Sequence, residues 1–463
     1  MGDKPDAFDV VVIGAGTGGY SAAIRASQLG RRVALVDRDA RLGGTCLLRG
    51  CIPTKALLQS AAVIDMVRRS EEWGIKADGE PDWSEVQSFQ ERTVEKLVTG
   101  LTGVIRRRGI EVIQGSATVV TGPGVEVGGA RLDAADVVIA TGSTPKLLPG
   151  IELTSRIVTS DEALRLDFVP ETIVVIGAGA VGLEFASMYR SFGAQVTVVE
   201  ALPRLAPLED EEVSKEIGRA FRKRGIESFV GASVQGVRQE GDRVEVTWEV
   251  GGEQKATWVD ICLIAVGRGP VSDGIGLREA GVELARSGAV RVDSELRTSV
   301  PHVWAVGDVA DTPLQLAHVA FTEGYAAAER IAGSHVPEIE YGNIPRVTFS
   351  APEIASVGLT ETQANDRGLD LLTEKLDLRG IGKANIVGEG GFVKVIAARE
   401  SGTVLGVHMI GPHVTDLIAE AMLITNWEAT VDEVAAMHHP HPTLSEGVGE
   451  AFLALAGKPL HSF

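Results

Sequence analysis

Cys46 and Cys51 stand five residues apart in Gly43-Gly44-Thr45-Cys46-Leu47-Leu48-Arg49-Gly50-Cys51-Ile52-Pro53-Thr54-Lys55, in a chain with three cysteines in all. They follow a glycine-rich loop by about thirty residues. A redox-active disulfide beside a bound cofactor is the chemistry this spacing suggests. In a regular helix, residues five apart are displaced by roughly 7.5 Å along the axis, whereas a disulfide needs its Cα atoms within about 7 Å. The turn must therefore be bent, and Gly43, Gly44, Gly50 and Pro53 supply permissive backbone and helix interruption. A bridge in poor geometry is easier to reduce. A structural bridge or two buried thiols fit less well, because structural disulfides are rare in cytosolic proteins and closing a short loop stabilises little.

A cofactor needs elements that hold it, and the chain has two sets. Phe8 to Ile13 reads as a buried strand ending in Gly14-Ala15-Gly16-Thr17-Gly18-Gly19. An alanine-rich helix follows, then a strand over Arg32 to Val36 ending at Asp37. Strand, glycine turn, helix, strand and acid form a complete dinucleotide fingerprint. Gly14 allows the tight turn, Gly16 lets the backbone approach a pyrophosphate, and Gly19 permits close helix packing. The helix N-terminus faces the phosphate charge, and Asp37 would accept from a ribose hydroxyl. The pattern recurs about 160 residues later as Ile173 to Ile176, then Gly177, Gly179 and Gly182, then Gln195 to Val199 ending at Glu200. Two such units imply two dinucleotides. Glu200 favours free ribose hydroxyls and repels a 2′-phosphate, hence NAD over NADP; Arg204, four residues on, could serve a phosphate instead. Glu184 has two readings at this level: a favourable charge in the first turn of the second helix, or a counter-charge for Lys55 near a flavin.

The chain has 463 residues, enough for three or four domains. With 44% hydrophobic and 23% charged residues it has a globular composition. Forty-four basic against 63 acidic residues give −19, which argues against nucleic acid or an anionic membrane as partner. Met1 to Phe8 has no apolar h-region and no apolar run approaches a membrane span, so a cytoplasmic protein is expected. His438, His439 and His441 could suggest a metal, but Pro440 and Pro442 separate them and no second ligand cluster is evident, so none is expected.

Taken in order, GAGTGGYSAAIRASQLG, GGTCLLRGCIPTKALL, ATGS at Ala140 to Ser143, GAGAVGLEFAS, VWAVGDV, NIPRVTFSAPEIASVGLTE and HPTLSE resemble the disulfide-active flavoprotein reductases. These are the class I pyridine nucleotide-disulfide oxidoreductases, and within them the similarity is greatest to the dihydrolipoamide dehydrogenase group, over essentially the whole length. The resemblance implies an α/β fold with two Rossmann-like dinucleotide-binding domains plus a C-terminal αβ dimerisation domain. It places an FAD-binding domain at 1–150, an NAD-binding domain at 151–270, a central domain returning to FAD at 271–342 and an interface domain at 343–463. It implies FAD on the first loop and NAD on the second, with Asp308 toward the flavin's ribityl and phosphate region and Thr141, Gly142, Gly267 and Ala317 as further cofactor contacts. Lys55 and Glu184 would pair beside the flavin. Cys46 would be the thiol that meets substrate and Cys51 the thiol nearest the flavin.

The resemblance also implies that His441 takes the proton a thiol must lose before attack, with Glu446 orienting the imidazole. The implied reaction is oxidation of dihydrolipoamide by NAD through the disulfide and FAD, in a homodimer whose site draws on both chains. A lipoyl-bearing acyltransferase of a 2-oxoacid dehydrogenase complex is the implied partner. A related NADH-dependent disulfide or quinone reductase is the alternative. The tail Pro459-Leu460-His461-Ser462-Phe463 lacks the extra cysteine pair of mercuric reductases. Leu48 and Arg49 depart from the family's small polar residue and valine, Thr54 from its serine, Val319 from its lysine and Pro440 from its alanine.

Overall fold

The computed structural model describes residues 7–461. Most of the start, Met1 to Phe8, and the last two residues of the tail lie outside them. Strand Phe8–Ile13, buried except at Asp9, runs parallel between Val33–Asp37 and Ala130–Ile139. Glu111–Gln114 extends the sheet beyond Val33–Asp37, and Val303–Ala305 extends it beyond Ala130–Ile139, both in parallel. Runs such as VALVD are apolar without alternation, as strands covered on both faces must be. Helix Thr17–Gln28 buries Gly18, Gly19, Ala22, Ala23 and Ala26. These small residues let helix Ala317–Ile331 come close: a Cβ on its Gly324 would sit 2.2 Å from the Gly18 carbonyl oxygen.

The second sheet repeats the plan. Thr172–Ile176 lies parallel between Gln195–Glu200 and Ile261–Ile264, with Glu227–Val230 and Ile157–Val158 at the edges. The C-terminal region carries an antiparallel sheet in the order Arg346–Thr348, Glu353–Gly358, Val404–Gly411, Phe392–Ala398, Leu371–Asp377. Helices Val414–Asn426, Val431–Ala435 and Glu446–Leu455 pack Ile418, Val434, Val448 and Phe452 against it. The architecture is thus α/β, with two Rossmann-like sheets and a C-terminal αβ region.

The chain divides into two compact units. One comprises Met1–Ala56, Glu85–Lys146 and Arg268–Tyr341, and the other Leu57–Ser84, Leu147–Gly267 and Gly342–Phe463. Among the described residues, no helix is long and apolar enough to cross a membrane.

Three local expectations need correction. The second strand starts at Val33 rather than Arg32. Pro53 does not interrupt a helix: it lies in the first turn of Cys51–Arg68, where a missing N–H leaves no bond unmade. Glu184 is not in the first turn of its helix, which runs Ala180–Ser191 with no acid there.

Candidate active site

The redox turn is two helices broken at one residue. Gly44–Arg49 ends at Gly50, and Cys51–Arg68 begins directly after it. Gly43 and Gly44 take φ of 123° and 58°, a region that L side chains rarely adopt. Thr54 anchors the break, its hydroxyl donating to the Gly50 carbonyl at 2.6 Å. Leu48, with Leu47 and Ile52, packs against Val94 and Val98 of helix Trp83–Arg107.

Cys46 and Cys51 are half-buried thiols in hydrogen-bond contact rather than a closed bridge. The pair singled out by its spacing is thus brought together in space. That hydrogen bond, and then burial, hold the Cys46 thiol far above the ordinary cysteine range, while the Lys55 ammonium pulls the other way. Tyr20 borders the pair: burial first, then Cys46 and Cys51, raise its phenol. The third cysteine, Cys262, is buried in Ile261–Ile264, where desolvation pushes its thiol up to about 12.

The first glycine loop lies directly against this turn. The Gly43 N–H donates to the Ala15 carbonyl at 3.0 Å. A Cβ on Gly44 would fall 2.5 Å from Gly16 Cα, and one on Gly19 would fall 1.7 Å from the Gly14 carbonyl oxygen. Asp37 accepts the Ala15 N–H at 2.5 Å and the Asp39 N–H at 2.8 Å. Burial raises its carboxyl, against the Ala15 amide and the charges of Arg38 and Arg49. Helix Thr17–Gln28 has no side-chain cap and no acid in its first turn. Its first N–H groups thus lack a protein counter-charge, and a Cβ on Gly16 would meet only Gly44 Cα at 3.9 Å. This clear, uncapped helix start fits a pyrophosphate.

The residues expected to hold FAD elsewhere in the chain are tied together by hydrogen bonds. The Thr141 hydroxyl donates to the Val271 carbonyl at 2.6 Å, and Gly142 takes φ of 72°. The Ser143 hydroxyl donates to Asp308 at 2.5 Å and accepts from Arg268 Nε at 2.7 Å. Arg268 also donates to the Ser143 carbonyl at 2.8 Å and lies 3.5 Å from the Thr45 hydroxyl, one residue from Cys46. Asp308 belongs to the turn Gly307–Val309. Fully buried Glu323 holds that turn by accepting the Gly307 N–H at 2.6 Å and the Tyr341 hydroxyl at 2.8 Å. Ala317 opens its helix without a side-chain cap. Val319, where the family has lysine, is buried.

The second loop reproduces the first. A Cβ on Gly177, whose φ is 106°, would meet the Ala265 carbonyl oxygen at 2.4 Å, and one on Gly182 the Gly177 oxygen at 2.0 Å. Around Gly179 the Cβ position is clear, and the helix it caps again carries no side-chain cap. Glu200 accepts the Ala178 N–H at 2.6 Å and the Leu202 N–H at 2.7 Å. Arg204 turns to the Pro207 carbonyl at 3.1 Å. Gly267 takes φ of 103°. Buried Glu184 accepts the Phe349 N–H at 3.0 Å.

At the C-terminus, His441 Nδ1 lies 2.7 Å from Glu446, which opens helix Glu446–Leu455. The imidazole is 76% exposed and the carboxylate 17%. Burial pushes the Glu446 carboxyl up, but His441 and the Thr443 N–H outweigh it and hold it below the usual carboxylate range. His439 packs inward against Gly449 and bonds Glu420 at 2.6 Å, while His438 is exposed.

Sequence reasoning missed Tyr20, Arg268, Ser143 and Glu323 as members of the site. Ser143 and Arg268 could have been found, because they flank Gly142 and Gly267. Tyr20 and Glu323 carry no local signal: each reaches the site through helix packing.

Comparison with known proteins bears on what this arrangement does. Residues 8–324 match the family model described as pyridine nucleotide-disulphide oxidoreductase, and residues 344–452 match the dimerisation domain of the same family. A dihydrolipoyl dehydrogenase of Bacillus subtilis (strain 168) is 41% identical over 98% of this chain and 99% of its own. One from Mycobacterium leprae is 39% identical over 97% and 98%. Among solved structures, LpdA from Mycobacterium tuberculosis matches with a TM-score of 0.89 and 27% identity over 96% and 99% of the chains. The HOCl-induced flavoprotein disulfide reductase RclA from Escherichia coli matches at 0.86 and 27%, over 96% and 99%.

Proposed function

The chain belongs to the pyridine nucleotide-disulphide oxidoreductase family, and from that membership we propose that it is a dihydrolipoyl dehydrogenase, oxidising dihydrolipoamide to lipoamide with reduction of NAD. The observation that carries the reading is the Cys46–Cys51 pair lying against the first dinucleotide loop through the Gly43–Ala15 bond. Gly14, Gly16, Gly19, Asp37, Thr141, Gly142, Asp308 and Ala317 hold FAD. Gly177, Gly179, Gly182, Glu200 and Gly267 hold NAD. Bound FAD supplies the two-electron link between the dithiol and the nicotinamide.

Each residue then has a task. His441, oriented by Glu446, takes the proton from a substrate thiol. The resulting thiolate attacks the Cys46 sulfur of the oxidised pair, and Cys51 leaves as thiolate. The second substrate thiol attacks the mixed disulfide, releasing Cys46 and closing lipoamide. Lys55 sets positive charge beside the thiols.

The dimerisation-domain match supports a homodimer in which His441 and Glu446 serve the partner's thiols. A lipoyl-bearing acyltransferase is the proposed partner and the cytoplasm the proposed compartment. The likeness to RclA gives a second reading, a disulfide reductase driven by a nicotinamide cofactor. Turnover with dihydrolipoamide, glutathione disulfide and a quinone, measured side by side, separates the two. Preference for dihydrolipoamide and NAD is expected; a preference for either of the others would overturn the first reading.

A further inference from the structure

Arg49 departs from the family pattern, and no step of the reaction uses it. Its surroundings give it a task. Helix Gly44–Arg49, which carries Cys46, has six residues and is too short to hold its own place. One side is fixed by the apolar contacts of Leu47 and Leu48. Its start is fixed by the Gly43 N–H on the Ala15 carbonyl. At its end the Arg49 guanidinium pairs with Asp39, both side chains being largely shielded.

Asp39 is itself tied back to the loop. Its N–H donates to Asp37, and the other oxygen of Asp37 accepts the Ala15 N–H. The links close into a ring: Ala15, Asp37, Asp39, Arg49, the Cys46 helix, Gly43 and Ala15 again. Arg49 is the only side-chain cation in that ring. Its Nε is buried without a partner, a cost accepted where the rest of the guanidinium is held in one place.

The geometry points to Arg49 as a positioning residue that locks the Cys46 helix onto the first dinucleotide loop through Asp39, so that flavin affinity and thiol alignment are set together. This rests on FAD occupying that loop. Neither Arg49 nor Asp39 need touch the cofactor or the substrate.

The test is FAD release from the purified holoenzyme, followed by flavin fluorescence, together with the long-wavelength absorbance that appears on anaerobic two-electron reduction. Arg49→Gln and Asp39→Asn should each raise the FAD Kd about fivefold, the size of one partly shielded ion pair. The double variant should be no worse than either single one, because both remove the same link. Arg49→Lys should restore most of the affinity. In both single variants the long-wavelength band should weaken per bound flavin. Parental FAD affinity and band in Arg49→Gln would overturn the assignment, as would single effects that multiply in the double variant. FAD loss in Arg49→Gln but not in Asp39→Asn would mean that Arg49 touches the cofactor directly, and would also overturn it. A parent protein without bound flavin would instead remove the FAD reading itself.

Discussion

His441 and Glu446 form a closed unit: Nδ1 of the imidazole lies 2.7 Å from one carboxylate oxygen, while the other oxygen takes the Thr443 N–H at 2.8 Å. The amide fixes the carboxylate, and the carboxylate fixes the ring. The imidazole they hold is itself 76% exposed.

His441→Gln should lower dihydrolipoamide turnover by about 10²–10⁴-fold, the usual worth of a positioned proton acceptor. Glu446→Gln should cost less, because the imidazole remains. Both should keep FAD and still allow NADH to reduce it. Stopped-flow reduction and steady-state rates check this. Parental turnover in His441→Gln would remove His441 from the reaction.

The thiols make a spectral prediction. Cys46→Ser should show a long-wavelength flavin band without reductant, since Cys51 then has no partner with which to close a disulfide, and Cys51→Ser should lack it. An alkylating reagent should label the reduced protein at half-buried Cys46 and Cys51 and spare Cys262, which is fully buried. Early labelling of Cys262, seen by peptide mapping, would contradict that burial.

Glu200 makes a cofactor prediction. NAD should be preferred over NADP by kcat/KM. Glu200→Gln should narrow the preference on the order of tenfold, one charge repulsion of about 1.4 kcal/mol. Because Glu200 also receives the Ala178 and Leu202 amides, the variant should lose some affinity for NAD as well. Equal use of both cofactors by the parent protein would overturn the assignment.

The last prediction concerns pH and stability. Lys394 is 4% exposed and bonds Asp210 at 2.8 Å and Glu361 at 2.6 Å. Burial raises the Asp210 carboxyl, but Lys394, with His408 and the Glu212 amide, outweighs it and the net direction is down. Its contribution is therefore complete above the unfolded carboxyl value and is lost as pH falls through the depressed folded value. Burial lowers Lys394, but its two acids outweigh that and raise it, so its contribution is lost only as pH rises through the raised lysine value. Lys394→Met should destabilise by about 3–5 kcal/mol at neutral pH, because a buried carboxylate is left unpaired. The deficit should shrink in acid as Asp210 takes up a proton. Denaturant titrations at several pH values check this, and a small deficit independent of pH would refute it.

The glycine loops could be read from the sequence because Gly14 and Gly177 sit where any Cβ would strike the carbonyl oxygen just past the end of a neighbouring strand, so local sequence and tertiary structure make the same demand. The break between the cysteines could also be read, from the distance a disulfide must span, though Gly50 rather than Pro53 makes it. Tyr20, Arg268 and Glu323 were not legible. Each owes its place to a partner distant in sequence: Tyr20 to Phe321, Arg268 to Ser143, Glu323 to Gly307 and Tyr341. Leu48 and Arg49 stood out only as departures, and their contacts with Val94, Val98 and Asp39 follow from how helix Trp83–Arg107 and the Asp37 turn lie against them.

The interleaving of the two units bears on how the chain is made. The first sheet begins with Phe8–Ile13 yet lacks its Val303–Ala305 edge until about 300 residues have emerged from the ribosome. All five strands of the second sheet fall between Ile157 and Ile264, and need only that contiguous stretch. Synthesis therefore favours completion of the later dinucleotide fold before the earlier one, the reverse of the usual N-terminal-first order. The sheet whose glycine loop lies against the Cys46 helix is thus the one whose last strand, Val303–Ala305, emerges after the other sheet has all of its strands.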